Sequence, residues 1–181
     1  MKWDVYDETV LYDNPWIRLT TVDVDVPGVG RIDHHVVRST GEVVGTVVTD
    51  TELGVLLMYR HRFITDEWGW EIPAGRVDSG ESLHDAAVRE TIEETGWSPT
   101  NVQPATYYYP SDGLSDQKFN LFIASGADHL GPPTDVSESE RIEWVSVARA
   151  RELLQSGMIR NGLTMTALLW WFASIEPTPQ A

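Results

Sequence analysis

The chain has no cysteine. That absence removes disulfides, thiolate catalysis and thiolate zinc sites together. It also agrees with a reducing compartment, and a cytoplasmic location is expected. Basic side chains are scarce: 13 Lys and Arg stand against 28 Asp and Glu, a formal net charge of -15. Affinity for DNA or RNA comes mainly from Lys and Arg neutralising phosphates, so a nucleic-acid polymer is not an expected partner. A small phosphate ester stays open if metal ions neutralise both it and the carboxylates. Long apolar runs are missing too. The densest, Ala167 to Ala173, is far too short to span a bilayer as a helix, and no membrane partner is expected. The opening residues MKWDVYDETV hold no signal-peptide-like apolar stretch. There is no internal repeat and no low-complexity segment.

What is present is enough for a core. The chain is 41% hydrophobic with eight Trp, six Tyr and four Phe, which argues against disorder. Its 181 residues suit one domain or a domain with a small appendage. Residues 1–16 are mixed and read as an irregular lead-in. From Ile17 to Val26 the alternation of Val22, Val24 and Val26 with Asp23 and Asp25 predicts a half-buried strand. Pro27 to Gly30 is a turn, and Arg31 to Arg38 the return strand of a hairpin. Val43 to Val48 and Gly54 to Tyr59 are β-branched, apolar central strands, and Trp68 to Pro73 a further short one. Ser82 to Thr95 has helix-forming composition with Gly96 at a C-cap position. Strands follow at Val102 to Tyr109, Phe119 to Ala124 and Ile142 to Val145, then helices at Val147 to Gln155 and Leu163 to Ser174. The tail from Pro177 is expected to fray. Strands, helix, strands and helices in that order predict a mixed α/β sandwich rather than a doubly wound sheet.

The segment Gly75 to Trp97, GRVDSGESLHDAAVRETIEETGW, carries the chemistry. On a helix Glu90, Glu93 and Glu94 project within about 100° of arc. Glu90 and Glu94 are i,i+4 neighbours, where like charges repel by about a few tenths of a kcal/mol. Ala87, Val88, Thr91 and Ile92 occupy another arc that would pack on the sheet. Arg89 offsets only part of the charge. Hard oxygen donors crowded this way suit Mg2+ or Mn2+. A solvated acidic helix face would show the same three glutamates.

The segment resembles the Nudix box. Gly75, Glu81, Arg89, Glu90, Glu93, Glu94 and Gly96 fall on its fixed positions, and Trp97 fills the last apolar place. Thr91 departs, standing where an aliphatic is usual. The resemblance implies a Nudix-type α/β/α sandwich with a mixed sheet, plus a small N-terminal antiparallel sheet. It implies Mg2+ as cofactor, with Mn2+ able to substitute. Glu90 and Glu94 would be the main metal ligands, Glu93 would complete or support them, and the carbonyl of Ala74 would be a further ligand. Glu81 and Arg89 would hold loop and helix together, and Gly75 would allow close backbone approach.

Tyr59-Arg60-His61, Trp70 to Gly75 and Pro110 to Asp116 resemble the ADP-ribose pyrophosphatase branch, although Gln117 stands where an acidic residue is frequent. That likeness makes Arg60 a ligand for the substrate's phosphates. It makes Glu138 a candidate general base and Glu140 an extra metal ligand, both in a loop that could equally be a solvated surface. It also implies residues 1–41 as a hairpin subdomain building a homodimer, residues 42–176 as the Nudix hydrolase domain and 177–181 as a tail. The implied activity is metal-dependent hydrolysis of the pyrophosphate of a small nucleotide, ADP-ribose giving AMP and ribose 5-phosphate. Another nucleotide sugar, a dinucleoside polyphosphate or a non-catalytic nucleotide sensor are the alternatives. His34 and His35 are strand neighbours facing opposite ways, so they are not expected to share a metal. His61, His84 and His129 stand alone and are expected to be structural.

Overall fold

Alternation decides the N-terminal strands. In β2 (Arg18–Val26) Thr20, Val22 and Val24 are buried while the residues between them are not. It pairs antiparallel with β1 (Asp4–Asp13) on one edge and β3 (Gly30–Arg38) on the other, giving a three-stranded sheet. The lead-in expected to be irregular is therefore a strand. Every residue of β1 is exposed, so no burial alternation marks it. Its identity comes from the ladder with β2, which tolerates two register shifts, at Val5/Asp7 and Val10/Tyr12. Arg38 of β3 reaches across β2 to Glu8 of β1 with a two-pronged bond at 2.8 Å on each oxygen. These strands and the segment Tyr108–Lys118 form one compact unit, Met1–Glu42 with Tyr108–Lys118. Within it Val37 N–H donates to the Leu114 carbonyl at 2.8 Å and Ser39 N–H to Asp116 at 2.7 Å.

The second unit is Val43–Tyr107 with Phe119–Ala181. This computed structural model describes residues 2–135 and 139–175; Glu138 and the 177–181 tail lie outside the described residues. Its elements, in order, are β4 (Val43–Asp50), β5 (Gly54–Arg62), β6 (Glu67–Glu71), β7 (Ala74–Arg76), α1 (Leu83–Thr95), β8 (Trp97–Pro99), β9 (Gln103–Tyr108), β10 (Phe119–Ser125), β11 (Ala127–His129), β12 (Arg141–Val145), α2 (Val147–Gln155) and α3 (Gly162–Ile175). The main sheet runs β12-β5-β4-β10-β9, with β6 on β5 and β7 on β4. It is mixed, since β10 pairs parallel with β4 while β12 and β6 pair antiparallel with β5. The fold is α/β with a mixed sheet and a small antiparallel sheet, as expected. The short strands β7, β8 and β11 escape sequence patterning because three residues show no period.

The period of two sorts the two faces of β4. Val44 and Val48 join Leu56, Phe122, Ala124, Ala86 and Ala87 in a core beneath α1. Gly45 points the other way, and a Cβ there would press on the side chain of Leu163 in α3 at 3.1 Å. Helices thus cover both sheet faces. α1 starts at Ser82, whose hydroxyl accepts the Asp85 N–H at 3.1 Å. It ends at Gly96, which takes φ 74°, a left-handed value that favours glycine. The arc that α1 buries is turned relative to expectation: Ala86, Ala87, Thr91, Glu94 and Thr95 are buried, while Val88 and Ile92 sit half-buried at its rim. Two small alanines let the helix lie close on the sheet, and that closeness takes Glu94 inside. Thr91 is fully buried, and its hydroxyl donates to the Ala87 carbonyl at 2.7 Å, so its polar atom is satisfied.

Candidate active site

Arg89 is the hub of the box helix. Its Nε donates to Glu81 Oε1 at 2.9 Å, and its Nη2 donates to Glu81 Oε2 at 3.0 Å and to the Arg76 carbonyl at 2.9 Å. Its Nη1 donates to Glu90 Oε1 and to Glu93 Oε2, both at 2.8 Å. A guanidinium has five N–H donors, and all are used here. The forked pair with Glu81 joins the loop before α1 to the helix.

The carboxylates of Glu90 and Glu94 converge on the same stretch of backbone. A Cβ on Gly75 would overlap the Glu90 carboxyl group. Glu94, 3% exposed, accepts the Ala74 N–H on Oε2 at 2.7 Å and Arg60 Nη1 on Oε1 at 3.0 Å. β7 brings Ala74 and Gly75 there because it pairs with Gly45 and Val44 of β4, beneath α1. Arg60, expected at a substrate phosphate, is 8% exposed and forms a buried ion pair with Glu94. The period of two in β5 aims it, with Leu56 and Met58, at the α1 face.

The electrostatics separate these carboxylates. The hydrogen bond from Arg89 holds Glu81 below the usual carboxylate range, and Glu81 in turn raises Arg89. Glu90 moves the other way. Burial pushes its pKa up, against the pull of Arg89 and with the repulsion of Glu93 and Glu81. Among the described residues, four carboxylates of this cluster are paired with two guanidinium groups. Among the described residues, no three His, Asp or Glu side chains surround one ion-sized point; the glutamates are gathered round Arg89 instead. The donor set nonetheless fits a hard divalent cation. It is all oxygen, it is short of positive charge, and Gly75 leaves the Glu90 carboxylate lying directly on the backbone. A carboxylate offers about four lone-pair sites, so a bond from Arg89 or Arg60 does not exhaust it.

The described residues on either side of 136–138 are held by backbone bonds. Thr134 and Asp135 donate their N–H groups to the Glu93 carbonyl at 3.0 and 3.1 Å, and Glu140 N–H donates to the Tyr59 carbonyl at 2.9 Å. Those anchors are the backbone carbonyls of one glutamate of the box and of the residue before Arg60. The Glu140 side chain is exposed and, among the described residues, has no bond to Glu90, Glu93 or Glu94. Sequence reasoning missed a second ion pair, one with a buried carboxylate. Glu71, 4% exposed, is gripped by Arg62 Nε at 2.9 Å and Nη2 at 2.5 Å. A carboxylate inside the apolar run Trp70 to Pro73 was the available signal, since a buried charge needs a partner.

Four histidines have local partners. His34 bonds the Gly113 carbonyl at 3.0 Å, His61 pairs with Asp66 at 3.0 Å, His84 with Asp85 at 3.5 Å, and the His129 ring packs tilted against Trp97 with centroids 4.7 Å apart.

The family model described as NUDIX domain matches residues 40–164. A CMP-5'-(N-acetyl-N-hydroxy-3-aminopropyl)phosphonate hydrolase of Streptomyces rubellomurinus is 39% identical over 169 residues, 93% of this chain and 82% of that protein. An ADP-ribose pyrophosphatase of Bacillus subtilis is 28% identical, covering 87% of this chain and 86% of its own. An ADP-ribose pyrophosphatase of Mycobacterium tuberculosis is 29% identical over 81% and 72%. A crystal structure described as an ADP compounds hydrolase superposes with TM-score 0.85 over 97% of this chain and 95% of that one; at 18% identity this likeness concerns the fold.

Proposed function

The chain belongs to the NUDIX domain family and is a Nudix pyrophosphohydrolase, and from that premise we propose that it cuts the P–O–P linkage of a nucleoside diphosphate derivative, ADP-ribose first among them. The observation that carries this reading is the convergence of Glu90 and Glu94 on Ala74 and Gly75. No helix among the described residues is long and apolar enough to cross a membrane. The likeness to an ADP-ribose pyrophosphatase supports a small nucleotide as the partner.

Mg2+, or Mn2+ in its place, would be held by Glu90, Glu94 and the Ala74 carbonyl, supported by Glu93 and Glu140. Bound there, it would polarise the phosphoryl oxygens and offset the charge that develops at phosphorus. The protein's own groups do the rest. Arg89 fixes Glu90 and Glu93 in place, and its bond to Glu90 works against the burial that raises that carboxyl. Gly75 keeps space for Glu90. Glu138 takes a proton from the attacking water as its oxygen bonds to one phosphorus in line. The bridging oxygen leaves with the other phosphate, and Arg60 balances that phosphate's charge. For ADP-ribose the products are AMP and ribose 5-phosphate. A second copy of the chain would associate through the sheet of residues 1–41.

A cytidine substrate is the second reading, favoured by the 39% identical phosphonate hydrolase. A CMP-linked phosphonate presents the same P–O–P centre on a different base, so the cluster round Arg89 would treat both alike. Turnover of ADP-ribose, a CMP-linked phosphonate, nucleotide sugars, dinucleoside polyphosphates and nucleoside triphosphates, each with Mg2+ and with Mn2+, separates the two. The Glu94→Gln variant should fold and lose at least a hundredfold in kcat on whichever substrate is preferred. Wild-type turnover by that variant with Mg2+ present would remove Glu94 from the metal site.

A further inference from the structure

The buried pair between Arg60 and Glu94 is more than a brace. Glu94 is 3% exposed and Arg60 is 8% exposed, so each offsets part of the hydration the other loses. Glu94 is also a proposed ligand of the divalent cation. A guanidinium and a dication beside one carboxylate repel each other, and the repulsion is strong where water is excluded. The Ala74 N–H, at 2.7 Å from the second oxygen, holds the Glu94 carboxylate in position whichever cation is its partner. Arg60 lies on β5, one residue after Tyr59, whose carbonyl anchors Glu140.

We propose that Arg60 and the divalent cation are alternative counter-ions of Glu94: the guanidinium holds the carboxylate until the cation takes it over, and the released guanidinium then becomes available to a substrate phosphate. This rests on the metal-site reading of Glu90 and Glu94. It also accounts for one arginine being suited to a phosphate yet buried against a carboxylate. The exchange has a direction that simple bracing lacks. If Arg60 only braced Glu94, its removal would weaken cation binding. If Arg60 only met substrate, its removal would leave cation binding unchanged. As a competitor, its removal tightens it.

The test is Mn2+ titration of the full chain without nucleotide, followed by electron paramagnetic resonance of free Mn2+. Arg60→Gln should bind Mn2+ at least tenfold more tightly than wild type, and Arg60→Lys, which keeps the charge, should fall between them. Binding that is unchanged or weaker in Arg60→Gln overturns the exchange while leaving the metal site standing. Wild-type binding that is absent, or unaffected by Glu90→Gln, overturns the metal-site reading and the exchange with it. Because Arg60→Gln could unfold the chain, the wild type gives an independent check. The Arg60 guanidinium NMR signals, slowed by the bond to Glu94, should broaden or vanish on adding Mg2+. Signals unmoved at saturating Mg2+ overturn the exchange.

Discussion

The carboxyl group of Glu90 lies where a side chain on Gly75 would begin. One belongs to α1 and the other to β7, so the contact fixes how closely the box helix lies on the strand before it. Gly75 has no left-handed φ, so a substitution there meets a steric obstacle alone. Gly75→Ala should displace Glu90, lower stability by about 1–3 kcal/mol as overpacking does, and reduce kcat at least tenfold. Urea denaturation and steady-state kinetics read the two effects. An unchanged kcat would show that the position of Glu90 does not matter to turnover.

Arg89 holds Glu81, Glu90 and Glu93 together, and its side chain is 28% exposed. Arg89→Met leaves three carboxylates facing one another with only solvent between their charges. A loss of roughly 2–3 kcal/mol is expected, below the figure for a fully buried pair because water screens part of the repulsion. Arg89→Lys should recover less than half of that, since an ammonium has three donors and no planar fork. Thermal unfolding of the three proteins at one salt concentration orders them.

The N-terminal sheet has its own pH dependence. The hydrogen bond from Arg38 holds the Glu8 carboxyl at about 2, against an ordinary 4.5, with a bond from Thr20 adding to the effect. The folded form therefore binds this proton less readily than the unfolded one. The stability contributed is present above pH 4.5 and is lost as pH falls towards 2. Carboxyl NMR titration should place the Glu8 midpoint near 2, and Glu8→Gln should flatten the acid limb of stability over that window. A midpoint close to 4.5 would mean that the Arg38 bond is not formed in solution.

Much of this was legible before any coordinates, for physical reasons that differ by residue. The seven fixed residues of the box sit at set spacings, and Arg89 bonded to Glu81 follows from that spacing once α1 is a helix. β2, β4 and β5 alternate or run apolar, and both patterns reflect burial. β1 could not be read, because an edge strand exposed on every residue leaves no apolar period. The buried arc of α1 was read in part: Ala87 and Thr91 are inside as expected and Val88 packs partly buried against the core, but the arc is turned so that Ile92 is only half-buried while Ala86 and Thr95 lie inside. That outcome buries Glu94. The partner of Glu94 was invisible to any local pattern, since Arg60 lies 34 residues earlier on another element.

Arg62 and Glu71 give a sharper test of how burial sets the cost of breaking an ion pair. The two ends are unequal: the Glu71 side chain is 5% exposed and that of Arg62 is 45% exposed. Removing the arginine strands a carboxylate that cannot rehydrate, at a cost of about 3 kcal/mol. Removing the carboxylate charge leaves a guanidinium that reaches water, at a cost of roughly 1 kcal/mol. Arg62→Leu should therefore be clearly less stable than Glu71→Gln. The double variant, with neither charge, should be more stable than Arg62→Leu alone. Urea unfolding of the four proteins in one buffer provides the cycle. Equal losses in the two single variants would mean that Glu71 reaches solvent more freely than its burial indicates, and that the strand leading to Ala74 is looser than the sheet pairing implies.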